Sequence, residues 1–228
     1  MRKVVDSKCV IPPRSSVIPP PESSAAEEPS SLVAIGISTG GPMSLETVLT
    51  ALPRDYPGAI VVVQHMPLGF TRFLAERLDR LCRMTVKEAE EGDPLCAGTV
   101  YIAPSGHQLN IRRTSTGHLV KLTGCSRDAL HCPSADVMMK SIAEAWSGRL
   151  LGIVMTGMGE DGAEGVRHIR RQGGTVIAQD EETCVVFGMP KAAHRSGCVN
   201  KMVSLYGIAE EIMLFARRDA SRPLSSPN

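Results

Sequence analysis

The stretch Val33–Pro42, VAIGISTGGP, decides the fold. An apolar run of strand length passes through Gly36 into a lone serine, Ser38, then two glycines and a proline. An apolar run without alternation suits a parallel strand covered on both faces. Leu45, Val48, Leu49 and Leu52 follow at helical spacing, which predicts a helix starting near Pro42 or Met43. Three readings of the junction compete. GISTG matches G-x-S-x-G, the strained strand-to-helix turn that presents a nucleophilic serine. A glycine-rich loop at a helix N-terminus can instead cradle a phosphate. The serine can also be a plain cap of the following helix.

Outward from this junction the same alternation repeats. AIVVVQ (59–64) reads as a second buried strand, and FTRFLAERLDRLC as a helix with Phe70, Phe73, Leu74, Leu78 and Leu81 on one face. MTVKEA and TVYIA are shorter strand candidates. QLNIR and HLVKL flank RTSTG and read as an antiparallel hairpin. SADVMMKSIAEAW (134–146) is a helix with Ser134 as its N-cap. RLLGIVMT (149–156) is a buried strand, AEGVRHIRRQG a helix stopping at Gly173 and Gly174, TVIAQ a strand and MPKAAHRSG a short helix. Strand–helix alternation of this kind predicts an α/β fold: a doubly wound, mostly parallel, Rossmann-like sheet with an antiparallel hairpin at one edge. Residues 1–30, dense in proline and serine, read as a disordered linker or tail, residues 31–218 as the folded domain, and residues 219–228 as a flexible C-terminal tail.

Composition narrows the function classes. The chain has 228 residues, a net charge of +1 and 4% aromatic residues, which offers neither a basic surface nor stacking platforms for nucleic acid. No apolar run approaches the roughly 18–20 residues of a membrane span, and the N-terminus lacks the apolar core of a signal peptide. Seven scattered cysteines without a CxxC pair suit free thiols in a reducing cytoplasm. A cytoplasmic monomer, without membrane insertion and without a nucleic-acid partner, is expected.

In an open α/β sheet, ligands bind beyond the carboxyl ends of the strands. Three loops then carry chemistry: Ser38 after the first strand, Gln64 and His65 after the second, and GMGEDG, with Asp161, after RLLGIVMT. A hydroxyl, an imidazole and a carboxylate on one rim are the groups of a nucleophilic triad. Each has a plainer reading. His65 can be a structural strand-end histidine, and Asp161 can cap the helix it precedes. Glu160 is a neighbouring carboxylate, while Asp136 is explained by dipole compensation in the first turn of its helix. His118, His131, His168 and His194 read as surface residues, with His107 a reserve candidate. Cys125, His131 and Cys132 match no zinc spacing, and the methionines read as core filler. No metal and no cofactor is expected.

These loops resemble the catalytic domain of the chemotaxis protein-glutamate methylesterase (CheB) family over about residues 32–215. The landmarks are IGISTGGP, VVVQHMPLGFTRFLAERLDRLC, VKEAEEGDPLCAGTVYIAP, CPSADVMMKSIAEA, GIVMTGMGEDGAEGV and AQDEETCVVFGMPKAA. The resemblance implies Ser38 as nucleophile, His65 as base and Asp161 as its orienter, with Thr39 and Met158 at the oxyanion. It implies hydrolysis of glutamyl methyl esters on cytoplasmic helices of chemoreceptors, with release of methanol, and deamidation of receptor glutamines. Two departures stand out. Regulated members carry a receiver domain ahead of a linker, whereas only the linker-like stretch precedes the domain here. Gln108 stands where the family usually places a histidine, with His107 one place early. A nucleotide- or phosphate-binding module would want a G-x-G-x-x-G or P-loop lysine, which is missing. An α/β-hydrolase would want its acid before its histidine. A catalytically silent partner-binding domain is the third alternative.

Overall fold

The computed structural model describes residues 28–217. In chain order they form β1 (Ser31–Ile37), α1 (Gly41–Thr50), β2 (Ala59–Gln64), α2 (Phe70–Leu81), β3 (Thr85–Glu88), β4 (Thr99–Ile102), β5 (His107–Thr114), β6 (Gly117–Gly124), α3 (Ala135–Ala145), β7 (Arg149–Val154), α4 (Ala163–Arg171), β8 (Thr175–Gln179), α5 (Met189–Arg195), β9 (Lys201–Val203), a 3-10 turn (Leu205–Gly207) and α6 (Ile208–Arg217). Seven strands make one sheet in the order β3-β4-β2-β1-β7-β8-β9, and every pairing in it is parallel. β5 and β6 form a separate two-stranded antiparallel sheet.

The apolar run that opened the sequence is the sheet's centre. All seven residues of β1 are buried, because helices cover both of its faces. Val33, Ile35 and Ile37 pack on one side with Leu45, Leu49, Leu74, Leu78, Ile208 and Ile212, from α1, α2 and α6. Leu32 and Ala34 alternate to the other side, with Met138, Ile142, Val166, Ile169 and Met189 from α3, α4 and α5, and with Leu109 and Ile111 of the hairpin. Register aligns the strand ends: Ile37 lies opposite Gln64 of β2, and Gly36 opposite Val154 of β7. The loops after β1, β2 and β7 therefore emerge at one rim. The chain leaves β1 for α1 on one face and β7 for α4 on the other, so the switch point falls between these two neighbours.

The structure differs from the sequence reading in several places. The buried face of α2 is Thr71, Leu74, Ala75 and Leu78, while Phe70, Phe73 and Leu81 are exposed. Thr71 fixes the helix's rotation, donating from Oγ1 to Glu88 Oε1 at 2.6 Å and accepting there from Ser105 N at 3.0 Å. His118 is buried rather than on the surface. Strand alternation turns it inward, where Nε2 lies 3.2 Å from Ala145 O and the ring centroid 4.7 Å from that of Trp146. Cys125 and Cys132, read as free thiols, form a disulfide, because the connection between β6 and α3 folds back until their Cα atoms are 6.0 Å apart. β9 and α6 carried no clear sequence signal. Residues 1–27 and 218–228, and with them most of the two tails read from the sequence, lie outside the described residues.

Candidate active site

Ser38 occupies the turn between β1 and α1, its amide donating to Thr156 O at 3.0 Å and its carbonyl accepting from Gly41 N at 2.8 Å. Gly40 caps α1 at φ 82°, a left-handed conformation that L side chains rarely adopt. Across the switch point the loop after β7 comes close: a Cβ on Gly157 would lie 2.7 Å from Ser38 Cβ. Glycine there is required by the close approach of Ser38 and of the Met189 side chain.

His65 follows β2 directly, with its amide donating to Ile37 O at 3.1 Å. Gln64, almost fully buried, donates from Nε2 to Ser38 O at 2.9 Å and to His65 O at 3.0 Å, and so ties the backbones of both residues together. The imidazole points Nε2 at Asp161 Oδ2, 2.8 Å away, with side-chain exposures of 14% and 3%. Nε2–H is then the donor, which leaves Nδ1 as the basic nitrogen; Nδ1 makes no hydrogen bond among the described residues. Ser38 Oγ likewise has no hydrogen-bond partner among the described residues.

Asp161 is held by more than the histidine. Oδ1 accepts from Ser134 Oγ at 2.8 Å and from Asp136 N at 3.0 Å, and Oδ2 also accepts from Ala135 N at 2.6 Å. These donors are the N-terminus of α3, where a carboxylate is favoured. Burial alone would raise its pKa, but the bonds from His65, the Asp136 and Ala135 amides and the Ser134 hydroxyl outweigh it and hold it at about 2. Asp161 is thus anionic and oriented, and it caps α3 rather than the helix it precedes. Asp136 does more than compensate a dipole: Oδ1 accepts from Gly162 N at 2.8 Å and Gly165 N at 2.6 Å, which pins the loop carrying Asp161.

Thr39 and Met158 flank the serine from the two sides of the switch point, both exposed. Neither backbone amide donates a hydrogen bond among the described residues. Thr156 positions their loops, donating from Oγ1 to Thr39 O at 2.9 Å and accepting from Val186 N at 3.0 Å. Sequence reasoning missed Thr156; its one signal was a hydroxyl at a buried strand end.

Among the remaining candidates, His107 and Glu160 are exposed. Gln108 is buried: it donates from Nε2 to His131 O at 2.8 Å and accepts at Oε1 from Ser134 N at 2.9 Å. His131, read as surface, is half-buried. Its ring stacks on that of His65, with centroids 4.3 Å apart and planes 5° from parallel. It lies against His65 because the 125–132 segment folds back over the rim. A cleft of about 310 Å³ opens there between Met66, Pro67, Leu130 and the two histidines. A larger groove, about 820 Å³, continues past Glu160 to Lys191 and Arg195 of α5.

Set beside known proteins, residues 33–212 match the CheB methylesterase family model. The protein-glutamate methylesterase/protein-glutamine glutaminase 3 of Geobacter sulfurreducens is 49% identical over 182 residues, 80% of this chain and 49% of that protein. The protein-glutamate methylesterase/protein-glutamine glutaminase 2 of Nitratidesulfovibrio vulgaris is 46% identical over 182 residues, 80% of this chain and 50% of that protein. The chain spans about half the length of these curated relatives. The crystal structure of the Thermotoga maritima CheB methylesterase catalytic domain superposes with a TM-score of 0.79 at 40% identity, covering 82% of this chain and 99% of that one.

Proposed function

The chain belongs to the CheB methylesterase family, and from that premise we propose that it is a serine hydrolase that removes methyl esters from glutamate side chains of chemoreceptors and deamidates receptor glutamines. The observation that carries the reading is the 2.8 Å bond from His65 Nε2 to a buried, low-pKa Asp161, on the same rim as the Ser38 turn. A phosphate cradle has no use for such a pair.

In the proposed mechanism, His65 Nδ1 takes the proton of Ser38 Oγ as Oγ attacks the ester carbonyl carbon. Asp161 keeps the proton on Nε2 and stabilises the imidazolium that forms. The Thr39 and Met158 amides receive the oxyanion, each such donor being worth about 10²–10³ in rate. Collapse breaks the ester C–O bond, and His65 returns the proton to the leaving methoxide as methanol. Water, deprotonated by His65, then attacks the glutamyl–Ser38 ester, freeing the carboxylate and restoring the serine. With a glutamine side chain the same steps expel ammonia. The substrates are cytoplasmic helices of chemoreceptors, and the protein acts on them as a cytoplasmic monomer. Release of labelled methanol from methyl-labelled chemoreceptor membranes by the purified chain is the expected result. No release above the membrane blank would contradict it.

A further inference from the structure

We propose that His131 is a positioning residue for this reaction, holding the plane of the His65 imidazole by stacking on it, with Gln108 as the brace that sets where His131 lies. The inference rests on the serine-hydrolase reading of the site.

One hydrogen bond does not orient a ring. The bond from Nε2 to Asp161 fixes one atom of His65, while the terminal torsion of a histidine is broad. A base must keep Nδ1 aimed at the serine throughout the cycle, so a second restraint, normal to the ring, is needed. The His131 ring supplies one: it is 5° from parallel, at a centroid distance of 4.3 Å. It is also itself restrained: its carbonyl is bound by Gln108 Nε2 at 2.8 Å. The other end of the same buried amide accepts from Ser134 N at 2.9 Å, and Ser134 Oγ donates to Asp161 Oδ1 at 2.8 Å. A single side chain therefore sets the stacking ring and the orienting carboxylate in one frame. Both restraints on the base, in plane and normal to it, are referred to Gln108.

The test compares His131→Leu, His131→Ala and His131→Phe in the full chain, with Ser38→Ala beside them. Misplacement of a catalytic group costs up to about 10²-fold. The Leu and Ala variants are expected to lose roughly 10-fold to 100-fold in kcat with KM unchanged. The Phe variant, which keeps a flat ring and discards the imidazole, is expected to recover most of it. In histidine-labelled NMR spectra, the His65 ring protons should lose the ring-current shift in His131→Leu and retain one in His131→Phe. Wild-type kcat in His131→Leu, an equal loss in His131→Phe, or a change confined to KM would overturn the proposal. An inactive wild type or an active Ser38→Ala would instead overturn the functional reading. The NMR comparison then still decides on His131, since unchanged His65 resonances in His131→Leu would refute the stack. If His131→Ala fails to fold, the Leu and Phe pair carries the test.

Discussion

Asp161 and Asp136 cap each other's helices. Asp161, which precedes α4, takes the Ala135 and Asp136 amides at the start of α3, and Asp136, in the first turn of α3, takes the Gly162 and Gly165 amides at the start of α4. The exchange locks the two helix N-termini together and leaves one edge of Asp161 for His65. The carboxylate bonded to His65 is thereby held by backbone amides of a neighbouring helix.

Asp136→Ala breaks one half of the exchange and leaves two amides without their acceptor. Unfolding by urea should show a loss of about 1–3 kcal/mol. Turnover should fall as well, because the loop bearing Asp161 loses its tether. Unchanged stability would mean that the cross-capping is incidental.

The Asp161 carboxyl, at about 2 in the folded protein, lies below the usual aspartate value of about 3.9. A depressed folded pKa gives stability that is fully present above about pH 4 and is lost as pH falls towards about pH 2. It is worth on the order of 2 kcal/mol. Asp161→Asn should lack this acid-side decline: the stability gap between wild type and variant should narrow from pH 5 to pH 2.5. A gap that stays constant over that range would contradict the assigned ionisation.

Gly157→Ala places a methyl group 2.7 Å from Ser38 Cβ and against Met189 Sδ. Overpacking of this kind costs about 1–3 kcal/mol, and relief must come from moving one of the two loops. The expected outcome is a folded, less stable protein with kcat reduced at least about 10-fold. Wild-type kcat would show that the two loops need not meet this closely.

Gln64→Leu removes the amide that binds both Ser38 O and His65 O. Loss of these two buried bonds should cost about 1–3 kcal/mol. Slower labelling of Ser38 by a fluorophosphonate, measured by mass spectrometry, is expected alongside, and labelling at the wild-type rate would count against this tie.

Much of this was legible in the sequence. The runs 32–37, 59–63 and 150–155 are apolar throughout because helices cover them on both faces, and that placed Ser38, His65 and the loop of Asp161 at strand ends. What stayed hidden depends on partners far away in the chain. The face of α2 could not be read from spacing, because Thr71 sets its rotation through Glu88 and Ser105, and three large apolar residues were left outside. Asp161 as cap of a helix 26 residues upstream, and His131 on the ring of His65, arise from long-range contacts that no local pattern encodes. The disulfide between Cys125 and Cys132 was hidden for the same reason: its spacing fits no motif, and only the folded-back connection brings the thiols together.

Attack on the ester by Ser38, served by His65 and Asp161, is the step on which the proposed function rests. Its most direct test is the initial rate of methanol release from methyl-labelled chemoreceptor membranes by wild type and by Ser38→Ala, with equal melting temperatures confirmed first. The variant's rate is expected to fall by at least about 10³-fold, to near the uncatalysed blank. A folded Ser38→Ala that releases methanol at the wild-type rate would contradict it.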